Sequence, residues 1–239
     1  MTLYLLPNCF DDAQAPSLLL PEGLPALVQT LAGLIAESAP TGRRYLLKLL
    51  PGSSFARSLP IFCLNEHSSE ADYEALAQQT ASGGNWGLIS DAGMPVVADP
   101  GSRLVRLLRM RGFVRIRAIP GPSSILLALI ASGLDGQRFS FHGYLPRESA
   151  PRRRALSALE KESAKNGMTQ ICIETPYRNA VFFADCLAVL NDRTELCVAC
   201  RLTFEDESVQ TRAVGEWKRS SFEVRKEPTV FVFKTFLLE

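Results

Sequence analysis

Along nearly its whole length the sequence alternates short apolar runs of strand type with stretches of helical period. Such alternation restricts a chain to α/β architecture with largely parallel sheets. Residues 3–6, 61–64, 86–90, 115–119, 139–142, 170–174, 196–203 and 229–236 read as strands. Residues 43–50, 69–81, 102–111, 123–131, 150–165 and 177–190 read as helices. Residues 24–37 also read as a helix, with Leu27, Leu31, Leu34 and Ile35 on one stripe. Ser69 is placed to cap its helix, and Gly112 and Gly167 to end theirs. The Pro-Gly-rich join at 118–122 is the best boundary, predicting an N-terminal α/β domain over 1–118 and a C-terminal one over 119–239.

Composition narrows the function. Of 239 residues 46% are hydrophobic, enough for a sizeable core, and 26 basic residues face 25 acidic ones. A formal charge of +1 does not suit a protein that coats nucleic acid through bulk charge, so any such contact needs a local patch. The longest apolar run, 125–131, falls well short of the roughly 20 residues of a membrane span. The opening Met1-Thr2-Leu3-Tyr4 lacks the basic region of a signal peptide, so a cytoplasmic protein without a membrane partner is expected. The six cysteines, at 9, 63, 172, 186, 197 and 200, are scattered as reduced thiols are. Cys197 and Cys200 form a C-x-x-C, but residues three apart on a strand point to opposite faces, and no metal is expected.

Two loops stand out. A buried strand delivers Ser90-Asp91-Ala92-Gly93-Met94-Pro95, then Asp99-Pro100-Gly101. Proline fixes φ and glycine admits close backbone approach, which suits a polar small molecule. The plainer reading is a strand-to-helix turn, with Asp99 capping the next helix. A second strand runs through Pro120-Gly121-Pro122 into Ser123-Ser124 at a helix start, where free N–H groups could meet a carboxylate or a ribose hydroxyl. Ser123 could equally be only a cap. No G-x-G-x-x-G and no Walker A sequence is present.

With Ala131-Ser132-Gly133-Leu134, Gly143-Tyr144-Leu145-Pro146-Arg147 and Glu174-Thr175-Pro176-Tyr177-Arg178, these loops resemble the tetrapyrrole methylase superfamily. Within it they are most similar to the ribosomal RNA small subunit methyltransferase I family. The resemblance implies two α/β domains with S-adenosylmethionine in the cleft between them, and a homodimer. By position it implies a cofactor shell of Pro7, Ser90, Asp91, Gly93, Val96, Ser123, Ser124, Glu174 and Leu202. It further implies 2′-O-methylation of a cytidine ribose in ribosomal RNA of the small subunit. The alternatives are a methylase of a small molecule such as a tetrapyrrole precursor, and a binding protein that has lost catalysis.

The N-terminal half departs from the family. Leu6-Pro7-Asn8-Cys9-Phe10 stands where the family has Thr-Pro-Ile-Gly-Asn, Ala36-Glu37-Ser38-Ala39-Pro40 where it has Ala-Glu-Asp-Thr-Arg, and Asn65-Glu66-His67-Ser68 where it has His-Glu-His-Asn. A ribose hydroxyl is weakly acidic, so a base helps, and the candidates are His67 and Glu66, with Asp91 and Glu174 behind them. Candidate RNA contacts are Arg43, Arg44, Arg147, Arg152, Arg153 and Arg154 for phosphates, and Tyr177 and Arg178 for a nucleotide. The bland readings are a surface histidine, a solvated basic helix face and a core tyrosine.

Overall fold

The run Leu31–Ala36 is a strand, not the second half of a helix. In the computed structural model, which describes residues 1–112 and 115–236, the expected helix over 24–37 divides into a one-turn helix at Leu24–Val28 and this strand. Both faces of the strand are covered, with Leu34, Ile35 and Ala36 wholly buried. A strand buried on both sides carries a continuous apolar run, which periodicity cannot tell from a helix. Gly33 lies against the ring of Trp86, where an added Cβ would meet a ring carbon at 2.5 Å.

The chain forms two compact units, Met1–Ser123 and residues 124 onward. The first contains β1 (Thr2–Leu5), α1 (Pro16–Leu19), α2 (Leu24–Val28), β2 (Leu31–Ala36), α3 (Ala39–Leu49), α4 (Ser54–Ser58) and β3 (Ile61–Cys63). It continues through α5 (Glu70–Ala81), β4 (Asn85–Leu88), α6 (Ser102–Arg111) and β5 (Arg115–Ala118). Its five strands are all parallel, in the order β3-β2-β4-β1-β5. Alternate residues of β1 face opposite layers. Tyr4 joins the core under α1 to α4, and Leu3 the core under α5 and α6. Because the strands are parallel, their carboxyl ends share one edge. β4 inserts between β2 and β1 while β5 goes to the far side of β1, so the winding reverses beside β1, where open α/β sheets bind ligands.

The second unit contains α7 (Ser124–Ser132), β6 (Phe139–Tyr144), α8 (Ser149–Asn166), β7 (Thr169–Glu174), a 3-10 turn at Pro176–Arg178, α9 (Asn179–Val189) and β8 (Glu195–Cys200). It ends with β9 (Ser208–Ala213), α10 (Val214–Arg219) and β10 (Thr229–Lys234). Its sheet runs β6-β7-β10-β8-β9, and only β6 and β7 pair in parallel. The expectation of largely parallel sheets therefore holds for the first unit and fails for the second. There β9 folds back on β8, and β10 returns between β7 and β8. Phe231 and Phe233 of β10 pack with α8, α9 and α10, while Val230 and Val232 pack with α7. Among the described residues, no helix is long and apolar enough to cross a membrane.

Candidate functional site

The loops after β1 and β4 are fastened together. Asn8 donates its backbone N–H to the Gly93 carbonyl at 2.9 Å, and its side-chain amide to the carbonyls of Ser90 at 3.1 Å and Asp91 at 2.9 Å. The third loop of this edge, after β5, closes on the first. A Cβ on Gly121 would meet Pro7 Cβ at 2.0 Å. Gly93 sits at φ 68°, within 3.4 Å of the Pro122 carbonyl for an added Cβ. Further along the same loop Val96 at φ 78° and Ala98 at φ 64° occupy the left-handed region. A β-branched residue there costs of order 1–3 kcal/mol, a strain that clusters at ligand sites. Ser90 is 1% exposed, and its hydroxyl lies toward the Asp99 carboxyl.

Three carboxylates gather at this edge. Glu37, the first residue after β2, accepts the Asp91 N–H at 3.0 Å. Burial raises the Glu37 carboxyl, and the charges of Asp91 and Glu66 add to the rise against that hydrogen bond. Asp99 is pushed up to about 6, chiefly by burial and by the charge of Glu37, with the nearby Ser90 hydroxyl offsetting part of it. Asp99 is not the helix cap expected from sequence: Gly101 occupies the N-cap of α6 and no side chain caps it.

The raised Asp99 has a measurable consequence. Its folded pKa lies above the unfolded value of 3.8, so the folded protein binds the proton more tightly and stability falls as pH rises from about 4 to about 6. Asp99→Asn is expected to gain about 1–2 kcal/mol at pH 7.5, after discounting for the solvent the carboxyl still meets, and nothing at pH 4. Denaturant titrations at the two pH values check this, and equal differences at both would contradict it.

The expected bases His67 and Glu66 form a 3.5 Å pair in solvent, with side chains 85% and 82% exposed. Arg43 is turned inward, donating to the carbonyls of Ala56 and Leu59 and so tying α3 to α4. Arg44 stands outside, paired with Asp12 at 3.0 Å. Ser123 closes the first unit and Ser124 opens α7.

In the second unit, Glu174 ends β7 with its side chain fully buried, accepting from Thr175 N at 2.7 Å and Arg178 Nη2 at 2.6 Å. Tyr177 is exposed on the 3-10 turn, not a core residue. Leu202 is buried between Arg201 at φ 51° and Thr203 at φ 72°. These two, with Val96 and Ala98, are the non-glycine residues of positive φ among those described.

The basic run at 152–154 is divided: Arg152 is buried, while Arg153 and Arg154 are exposed. Arg152 is 2% exposed; its Nε donates to Asp185 Oδ2 at 2.8 Å and its Nη1 to the Arg147 carbonyl at 2.6 Å. Arg153 bonds the other Asp185 oxygen at 2.6 Å, and Ser149 completes the set. Burial works against the Asp185 charge, yet these hydrogen bonds hold its carboxyl below the usual carboxylate range. An arginine so enclosed has no face left for a phosphate. Arg147, Arg153 and Arg154 remain exposed.

Residues 29–217 match the family profile of the tetrapyrrole (corrin/porphyrin) methylases. The chain belongs to that family. It is similar to proteins named Ribosomal RNA small subunit methyltransferase I. That of Escherichia coli O157:H7 is 35% identical over 74% of this chain and 62% of its own length. That of Vibrio cholerae serotype O1 is 36% identical over 72% and 58%. The matches thus span about three-fifths of these relatives' length. Among solved structures, the methyltransferase CobJ (TM-score 0.62) and diphthine synthase (TM-score 0.65) share 14% identity with it. They cover 97% and 99% of this chain, and 93% and 91% of their own. These likenesses establish the fold as that of the tetrapyrrole methylases, with two α/β units.

Two features were not legible in the sequence: the placement of Glu37 beside Asp91 and the burial of Asp99. With residues 24–37 read as one helix, Glu37 fell at a helix end instead of beside Asp91. The available signal was the apolar run before it, which ends in a carboxylate as strands at a ligand-binding edge do.

Proposed function

We propose that this protein is an S-adenosylmethionine-dependent methyltransferase that modifies the 2′-hydroxyl of a cytidine ribose in small-subunit ribosomal RNA. What carries the reading is that the family match, residues 29–217, takes in both rigid loops of the β-sheet edge. The loops locked by Asn8 and Gly121 fit a polar ligand held with little freedom. The cofactor shell carried into this reading is the one the resemblance implies: Pro7, Ser90, Asp91, Gly93, Val96, Ser123, Ser124, Glu174 and Leu202. Bound there, the cofactor supplies an electrophilic methyl group on a sulfonium. The similarity to proteins named for ribosomal RNA supports an RNA substrate, and with it a cytoplasmic location. A homodimer belongs to the same reading.

The chain's own task is alignment and proton removal. Holding the hydroxyl in line with the methyl group is worth roughly 7–11 kcal/mol when the geometry is fixed beforehand. A proton acceptor works best with a pKa near the operating pH. Asp99, pushed up to about 6 and partly shielded from water, suits that task, whereas His67 and Glu66 stand in open solvent where nothing holds a substrate hydroxyl. Methyl-transfer rate in the parent is expected to rise through pH 6, and Asp99→Asn to lose most of the rate along with that limb. A variant with the parent's rate and profile would remove Asp99 from the role.

Cofactor binding tests the reading at its base. Calorimetry is expected to show S-adenosylmethionine or its demethylated product binding at micromolar affinity or better. No heat and no thermal shift with either ligand would overturn it.

A further inference from the structure

Residues 102–118 carry six arginines and no aspartate or glutamate, which leaves the rest of a chain of formal charge +1 at −5. Two of the six are neutralised by α5: Arg103 pairs with Glu70 and Arg111 with Glu74. Arg106, Arg109, Arg115 and Arg117 are exposed, and among the described residues none has a carboxylate within ion-pairing reach. Surfaces usually intersperse charges of both signs, because like charges repel and destabilise the compact state.

β5 is the edge strand of the first sheet. α6 covers the Leu3 face of that sheet, while Arg117 lies 5.8 Å over the ring of Tyr4 on the opposite face, and Arg115 shares the side of Arg117. Basic side chains thus flank the sheet edge on both faces. α6 begins where the Ser90–Gly101 loop ends, and β5 runs directly into Ile119 and Pro120. The unpaired charge therefore occupies the segment that joins the two ligand-binding loops. Charges on an edge strand also discourage edge-to-edge pairing, but that role asks nothing of Arg106 and Arg109 on the helix. Met110 is the one large exposed apolar side chain of α6, too little for a lipid surface, which calls for a broad apolar face.

We propose that Arg106, Arg109, Arg115 and Arg117 form the surface on which the phosphate backbone of the substrate docks, an inference that rests on RNA being the substrate. They take the place expected for Arg152, which is buried against Asp185. Contacts of this kind position the RNA without reading its sequence.

The test uses the full chain, fluorescein-labelled polyuridylate as probe, anisotropy across a salt series, and calorimetry of S-adenosylhomocysteine on the same preparations. Replacing the four arginines with alanine is expected to leave cofactor affinity and melting temperature within error. RNA affinity should fall at least tenfold, and the slope of log affinity against log salt should flatten by about 3, at about 0.7 per lost contact. Four lysines in their place should keep most of the slope. A parent that binds RNA, with an alanine variant of equal affinity and slope, would overturn this surface and leave the RNA reading intact. A parent that binds the cofactor but no RNA at low salt, or only anionic phosphatidylglycerol vesicles, would overturn the RNA reading and the surface with it.

Discussion

Arg152→Ala is expected to be the most damaging single change on the arginine-rich start of α8, costing about 3–5 kcal/mol because it strands a buried carboxylate. Asp185 has its side chain only 3% exposed and depends on Arg152, Arg153 and Ser149 for its hydrogen bonds. Without Arg152 the remaining charged partner is Arg153, half exposed and bonded to the other oxygen, with the Ser149 hydroxyl beside it. The melting temperature should fall by roughly 10 °C for a chain of this size. Arg154→Ala, two positions along in solvent, should leave it unchanged. Thermal denaturation of the two variants decides the matter: equal melting temperatures would mean that the Asp185 cluster contributes nothing. If the melting temperature of Arg152→Ala falls as expected, any loss of RNA binding in it follows from lost stability, with no phosphate contact involved.

Gly121→Ala is the second large effect, and it acts on the binding edge. The new methyl group would lie 2.0 Å from Pro7 Cβ, 2.8 Å from Pro7 Cγ and 3.1 Å from the Met94 sulfur. Pro7 is a ring with no free rotamer, so the loops after β1 and β5 must part. Overpacking of this kind costs about 1–3 kcal/mol. Because Pro7 and Ser123 flank the contact, cofactor affinity should fall by more than tenfold. Gly136→Ala is the control, with its nearest neighbour at 3.8 Å. Calorimetry showing parental affinity in Gly121→Ala would mean that this junction does not shape the site.

The sequence made legible those features that depend on local chemistry. Ser69 caps α5 in a reciprocal capping box with Asp72, and Gly112 and Gly167 end α6 and α8 in the left-handed region. These are interactions within a few residues, which a linear reading can weigh. Strand parity also shows along β8, where Leu196 and Val198 pack with α9 while Cys197 and Ala199 pack with α7. The failures lie where tertiary context decides. Leu31–Ala36 has helical spacing of its leucines, but burial on both faces makes it β2. β9 has an even, half-buried pattern with no apolar alternation, so Ser208–Ala213 gave no strand signal. The site divides in the same way. The Ser90–Gly101 loop was visible from its prolines and glycines, whereas the strain at Val96 and Ala98 and the raised Asp99 arise from backbone path and burial. Arginine counting misled at Arg152, since Asp185, its partner, lies 33 residues further along the chain.

The central claim is methyl transfer to ribose, and one assay meets it directly. Small ribosomal subunits purified from a strain lacking this protein would be incubated with the chain and S-adenosylmethionine carrying a radiolabelled methyl group. The account predicts label in the small-subunit RNA, at a cytidine whose 3′ linkage then resists alkali because its 2′-oxygen is blocked. Label absent from that RNA, or carried on a base and lost from the alkali-resistant fraction, in a preparation that binds the cofactor, would contradict it.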